Sequence, residues 1–227
     1  MAYYLTPLSV TELQQLIGPS FINTFQTEMD LYLQPYRKNV VSGRPLSMGK
    51  ELWEYAVADS IANATWCGAG KGIADVSLSD NIKCDVKSMQ IIGNYTTEAS
   101  MYQPLALQEK STVDFGNKDK RALWNLFVDG WFKKVSTVKE YYMLTIFRDN
   151  ALNCSLAGFK VGGDQVNFTE SDCIFTKKSM KVLSVIDPKF AQVKAYSGKT
   201  RLEIRVSNAI FKDPTYTMSI YNYGSNQ

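Results

Sequence analysis

The stretch Gly72-Ile-Ala-Asp75-Val-Ser-Leu-Ser-Asp80-Asn-Ile-Lys-Cys-Asp85-Val-Lys87-Ser88 decides how this chain is read. Its side chains alternate with a period of two on either side of Ser79-Asp80-Asn81, whose residue types favour a turn, so it predicts a β-hairpin. With the turn centred on Asp80, Asp75 lies opposite Asp85, Val76 opposite Cys84 and Leu78 opposite Ile82. Val76, Leu78, Ile82 and Cys84 then form an apolar face, and Asp75, Ser77, Lys83, Asp85 and Lys87 form a charged one, because successive strand side chains point to opposite sides.

Two carboxylates directly opposed across antiparallel strands have Cβ atoms about 4.5–5.5 Å apart and repel, which destabilises the pair unless a cation lies between them. Hard oxygen ligands that leave coordination positions open for water and phosphate favour Mg²⁺ over zinc. Lys87, two residues from Asp85 on the same face, is suited to position or deprotonate an attacking water and to offset phosphate charge.

Outward from the hairpin, Ser47 is read as the cap of a helix that carries Glu51, Leu52, Tyr55, Ala58, Asp59 and Ala62 to about Ala64, and Gly68 to Gly72 as a flexible loop. Nearer the N-terminus, Leu13, Leu16 and Ile17 follow a cap-like Ser9 or Thr11. A second stripe at helical spacing holds Phe21, Ile22, Phe25, Met29 and Leu33 before Pro35. Residues 1–45 therefore read as a helical arm with no evident core role, suited to a partner contact, and 46–227 as the main domain.

Downstream, 93–116 is polar and resists assignment, whereas 118–135 reads as a helix on Leu123, Leu126, Phe127, Trp131 and Phe132. Glu140 to Arg148 reads as a buried strand, and 153–161 and 201–206 as further strands. Trp124, Trp131, Tyr141 and Tyr142 fit these periodicities as core residues and receive no site role. The order of elements predicts an α+β or mixed α/β domain around a central sheet.

The D-x9-D-x-K pattern of Asp75, Asp85 and Lys87, preceded by a glycine-containing loop and a glutamate-bearing helix, resembles the PD-(D/E)XK signature of restriction-endonuclease-like nucleases. The short gap and the Lys87-Ser88 pair are most similar to compact type II restriction enzymes. The resemblance covers roughly residues 49–148 and departs from the motif at Ala74, where the family's name-giving proline is replaced. It implies an αβββαβ core with a central mixed sheet, which requires a third strand between Gly93 and Gly116, plus additional C-terminal strands. It also implies Mg²⁺ held by Asp75, Asp85 and the Val86 carbonyl, Lys87 at the attacking water, a helical acid at Glu54 or else Glu51, and a homodimer acting on double-stranded DNA.

The bare triplet recurs at Asp187-Pro188-Lys189, and Asp172 precedes it by fifteen residues. Proline inside a catalytic strand removes a ladder hydrogen bond, and Asp-Pro starts turns, so this second copy is set aside.

Composition narrows the chemistry. A chain of 227 residues fits one sizeable domain. The absence of histidine excludes Ser-His-Asp and Cys-His catalysis and histidine-bound zinc. Cys67, Cys84, Cys154 and Cys173 are scattered, which suggests free thiols in a reducing cytoplasm rather than a zinc site or a disulfide framework. The N-terminus has no basic and apolar leader pattern, and no apolar run approaches the ~18 residues of a membrane span, so a cytoplasmic protein without a membrane partner is expected.

Net charge is +3, yet Thr176 to Arg205 holds eight basic residues against two acidic ones, a net +6 that leaves about −3 elsewhere. Lys199, Arg201 and Arg205 in this segment are expected to meet phosphate, as are Lys118, Lys120 and Arg121 at the start of a helix; a solvated basic face is the plain alternative. The sequence therefore leads to the expectation of a type II restriction endonuclease. Its alternatives are a structure-selective or repair nuclease of the same superfamily and a non-catalytic DNA-binding module.

Overall fold

Ser9 opens the first helix, α1 (Val10–Ile17), through a reciprocal capping box: its Oγ accepts from the Glu12 N–H, and the Glu12 carboxylate accepts from the Ser9 N–H at 2.8 Å. Gly18, at φ 85°, ends the helix in a conformation that side chains disfavour. The second helix, α2 (Phe21–Leu33), buries Phe21, Phe25, Met29 and Leu33; a short helix α3 (Arg37–Val41) follows. These stripes do not form a free arm. They lie in the main core with Trp53, Ala56 and Val57 of α4 (Lys50–Ser60), where each fully buried large side chain contributes about 1.5–3 kcal/mol.

The computed structural model describes residues 5–42, 49–68, 74–102, 138–162, 173–175, 179–182, 187, 189–196 and 202–223. The expected cap Ser47 and the helix expected over 118–135 lie outside them. Helix α4 starts from Gly49 and ends at Ser60, four residues short of the expected Ala64, because Ile61 turns to extended backbone. No described helix is long and apolar enough to cross a membrane.

The strands in chain order are β1 (Leu5–Pro7), β2 (Thr65–Trp66), β3 (Val76–Ser79), β4 (Ile82–Ile92), β5 (Tyr95–Thr96), β6 (Ala99–Tyr102) and β7 (Glu140–Arg148). After them come β8 (Asn153–Val161), β9 (Cys173–Phe175), β10 (Ser179–Val182), β11 (Ala191–Tyr196), β12 (Leu202–Val206) and β13 (Thr217–Asn222), with a one-turn helix α5 (Asn208–Phe211) before β13. One sheet runs β1-β8-β7-β4-β3-β2, with β13 also on β8 and β5 on β4; a second runs β6-β12-β11-β10-β9. The architecture is mixed α/β around a central mixed sheet. Among the described residues the one parallel pairing, β4 with β7, aligns Ile82 with Glu140 through Gln90 with Arg148. A parallel pair requires a crossover of a dozen or more residues, and the chain between Ile92 and Glu140 supplies it.

Leu144 and Ile146 of β7 pack with Cys84 and Val86 of β4 in the core that the helices cover, so Tyr141, Met143, Thr145 and Phe147 take the opposite face, also buried. On that face Phe147 meets Phe211 of α5, ring centroids 5.7 Å apart. Helix α1 crosses β8 so closely that a Cβ on Gly158 would sit 2.9 Å from Leu13 Cδ1, which is why glycine stands there.

A third strand adjoins the hairpin, but not where the sequence reading sought it. It is β2, before the first acid, pairing Thr65 with Ser77 and Trp66 with Val76. The strand found within 93–116, β6, belongs to the other sheet.

Candidate active site

The hairpin forms with its turn at Asp80-Asn81, and the expected pairing holds at Val76 with Cys84 and adds Ser77 with Lys83. Beyond these the register slips, so that Ser79 rather than Leu78 meets Ile82. The bulge absorbs one extra residue near the turn, and at the site end the pairing stops at Val76 with Cys84. There Asp75 stands just before β3, its N–H donating to the Cys84 carbonyl at 3.1 Å and its carbonyl accepting from the Cys67 N–H at 2.9 Å. On the charged face Asp85 is buried, 6% exposed on a central strand between β3 and β7, and Asp75, Ser77, Lys83 and Lys87 are half-buried.

Three oxygen-bearing groups converge on one atom, the Lys87 Nζ. It donates to Asp75 Oδ2 at 3.0 Å and to the Val86 carbonyl at 3.4 Å, and lies 3.8 Å from Asp85 Oδ2. Asp75 Oδ2 also accepts from the Val86 N–H at 2.8 Å, which ties the first acid to the strand of the second. Burial pulls the Lys87 pKa down, but the charges of Asp85 and Asp75, the hydrogen bond to Asp75 and the charge of Glu54 outweigh it, and the net shift is upward. The ammonium thus occupies the point between the two acids where mutual repulsion calls for a positive charge.

Two aromatic donors hold the acids, and the sequence reading gave neither a role. Tyr141 of β7 donates its hydroxyl to Asp85 Oδ1 at 2.8 Å; burial, then Asp85, pushes the phenol well above its ordinary range, so it stays a donor. Trp66 of β2 donates its indole N–H to Glu54 Oε2 at 3.1 Å while its ring packs on Tyr55, centroids 4.6 Å apart. The available signal was the polar tip that a buried tyrosine or tryptophan must satisfy. Glu54 is 4% exposed, unlike the neighbouring Glu51, which is half-buried; of the two expected helical acids, Glu54 is the one whose charge is felt at Lys87.

The remaining candidates stand apart. Arg205 pairs through Nη2 with Glu98 Oε1 at 3.3 Å, so a phosphate there competes with a carboxylate. Lys118, Lys120, Arg121, Lys199 and Arg201 lie outside the described residues. At the second triplet, Asp187 accepts from the Lys189 N–H at 3.0 Å and its carbonyl accepts from the Phe190 N–H at 2.9 Å, the turn that the Asp-Pro pair predicts.

Among the described residues, no three His, Cys, Asp or Glu side chains group closely enough to hold a metal by themselves. The donors that do converge are two carboxylates and one backbone carbonyl, all hard oxygen, within 3.8 Å of the Lys87 ammonium, which itself fills the point between them. Such a set fits Mg²⁺, which is held by few protein oxygens and keeps its waters, and not a thiolate- or imidazole-seeking ion. Comparison of the chain with protein-family models, with curated proteins and with solved structures gives no match.

Proposed function

We propose that this protein is a magnesium-dependent endodeoxyribonuclease of the restriction-endonuclease-like kind, acting as a type II restriction enzyme that hydrolyses phosphodiester bonds of double-stranded DNA. The observation that carries the reading is the convergence of Asp75, Asp85 and the Val86 carbonyl on Lys87 Nζ within a largely buried site. The element order α4, β2, β3, β4 and parallel β7 supports it, since it follows the αβββαβ order except for a helix whose expected residues are not described.

In this reading Asp75 and Asp85 hold the metal together with the Val86 carbonyl, and Glu54 orders a water or a second ion. Bound Mg²⁺ supplies Lewis-acid charge and a water of lowered pKa. Lys87, kept charged by its neighbours, donates a hydrogen bond toward the attacking water and offsets charge on the phosphate. Tyr141 fixes the Asp85 carboxylate, and the Val86 N–H fixes that of Asp75, so both acids are oriented before DNA arrives. The proposal extends to a cytoplasmic homodimer that cuts both strands of a palindromic site, tested by sedimentation with and without DNA; a monomer under both conditions removes that extension.

Incubation with plasmid and phage DNA in Mg²⁺, with Ca²⁺ and chelator controls, tests the activity. Discrete fragments support the restriction enzyme, and a smear indicates an unspecific nuclease of the same chemistry. No cutting means that Lys87 neutralises the two acids for structural reasons only.

A further inference from the structure

The charged face carries two lysines of β4, and their surroundings differ. Lys87 lies within reach of two carboxylates. Lys83, earlier on the same strand, is half-buried too, yet among the described residues no carboxylate stands within ion-pair distance of it. Its ammonium donates instead to Ser77 Oγ, and Ser77 donates its own hydroxyl hydrogen to the Ser79 carbonyl at 2.9 Å. Ser77 can therefore only accept from Lys83, which fixes the ammonium beside β3 and leaves its other N–H donors for a ligand. A cation drawn partly out of water is costly until an anion joins it.

Thr65 pairs with Ser77 and Ser77 with Lys83, so these residues form one row across β2, β3 and β4. Directly paired residues point to the same side, and Trp66, Val76 and Cys84 take the core side, so the row shares the face of Asp75, Asp85 and Lys87. That face is closed over β7, where Tyr141, Met143 and Thr145 are buried. It is open over β2 and β3, where Thr65 is exposed and Asp75 and Ser77 are half-buried. A large ligand thus reaches the acids across the row that holds Lys83. Lys83 precedes Asp85 by about 7 Å along the strand, and phosphates of one DNA strand follow one another every ~3.4 Å of helix axis. A duplex with one phosphate at the acids therefore brings another, about two nucleotides away, to Lys83.

We propose that Lys83, held by Ser77 and bordered by Thr65, binds a backbone phosphate neighbouring the one presented to Asp75, Asp85 and Lys87, and that the duplex enters across β2 and β3. An ammonium suits this task as a compact point charge with rotatable donors, and the exposed Thr65 hydroxyl offers the same phosphate a further donor. The subsite rests on the nuclease reading for its choice of ligand, but its contact to phosphate is separable from metal chemistry.

The test is binding of a short DNA duplex measured by fluorescence anisotropy in Ca²⁺ across a salt series, for the wild type, Lys83→Met, Ser77→Ala and Lys160→Met, with thermal unfolding as the control for folding. Lys160 is the comparison because it pairs with Tyr142 and so lies on the opposite, helix-covered face. Lys83→Met keeps the aliphatic stem and should weaken binding about ten-fold and reduce the log–log salt slope by about one. Ser77→Ala keeps the charge, so it should keep the slope and lose affinity by about three-fold. Lys160→Met should bind like the wild type. A folded Lys83→Met protein with wild-type affinity and slope overturns the subsite, and so does an equal loss in Lys160→Met, which reduces the effect to net charge. If the wild type cleaves DNA, the nuclease reading survives either result. Conversely, a slope that depends on Lys83 and not on Lys160, in a protein that never cleaves in Mg²⁺, upholds the subsite and removes the nuclease reading. A duplex that does not bind the wild type overturns the proposal; inorganic phosphate that then raises the unfolding temperature of the wild type but not of Lys83→Met identifies the ligand as a free anion.

Discussion

The chain carries the triplet Asp-x-Lys twice, and the two copies meet different fates. At Asp85-Val86-Lys87 the acid is buried on a central strand, and the lysine Nζ bridges it to Asp75, which stands just before the facing strand. At Asp187-Pro188-Lys189 the acid caps its own turn, and Lys189 Nζ lies 3.6 Å from it with a side chain 65% exposed. Both are Asp–Lys ion pairs at similar separation. The first is shielded from solvent and shared with a second carboxylate, so its charges interact strongly, whereas an exposed pair contributes at most about 1 kcal/mol. A triplet acquires chemical meaning only through the strands that flank it.

Substitution of the acids gives the widest separation between the copies. Asp75→Asn or Asp85→Asn should lower Mg²⁺-dependent cleavage by at least about a thousand-fold with the fold intact, as loss of a metal ligand implies, while Asp187→Asn should cleave like the wild type. Near-normal cutting by either of the first two variants sinks the assignment. Lys87→Ala should slow the single-turnover rate by about 100- to 1000-fold and leave DNA affinity in Ca²⁺ nearly unchanged, against no effect for Lys189→Ala. If Lys87→Ala instead loses binding and cleaves normally at saturating protein, Lys87 is a phosphate anchor and the mechanism above is wrong.

Tyr141→Phe sharpens the comparison, because Tyr142→Phe is the same chemical change one residue on, at a hydroxyl that donates to Glu140 at 2.7 Å on the other face. The first should cost about 10- to 100-fold in metal affinity or activity and the second almost nothing. Equal behaviour of the two would deny the Asp85 hydrogen bond any part in orienting the site.

The smallest effect is on stability. Lys87, Tyr32 and Cys154 have ordinary pKa values of 10.5, 10.0 and 9.0, and all are raised in the folded protein, Tyr32 and Cys154 to about 12. For Tyr32 and Cys154 burial is the leading cause; for Lys87 the neighbouring acids overcome it. The folded chain therefore holds more protons than the unfolded one between about pH 9 and 12, and stability must fall as pH rises through that window. Urea midpoints should stay level from about pH 6 to 8 and drop above about 9. A level profile to pH 11 would mean that these groups are as solvated in the folded chain as in the unfolded one.

Local chemistry made much of this protein legible. The turn residues Ser79-Asp80-Asn81 and the alternation around them announced the hairpin and its pairing at Val76 and Cys84. A cap-like Ser9 or Thr11 announced α1, and the apolar run announced β7, because caps, turns and periodicity act over a few residues. The candidate trio Asp75, Asp85 and Lys87 was legible for the same reason, all three belonging to one hairpin. What the sequence could not disclose depends on pairings made far along the chain. That Tyr141 reaches Asp85, and that Arg148 stands level with Gln90, follows from the parallel union of β4 and β7 across a long crossover. The burial of the α1 and α2 stripes in the main core, rather than in an arm, and the meeting of Trp66 with Glu54 have the same origin. Hydrophobic burial is non-directional and rewards any partner of the right shape, so periodicity tells which face is buried, and only the folded chain decides against what.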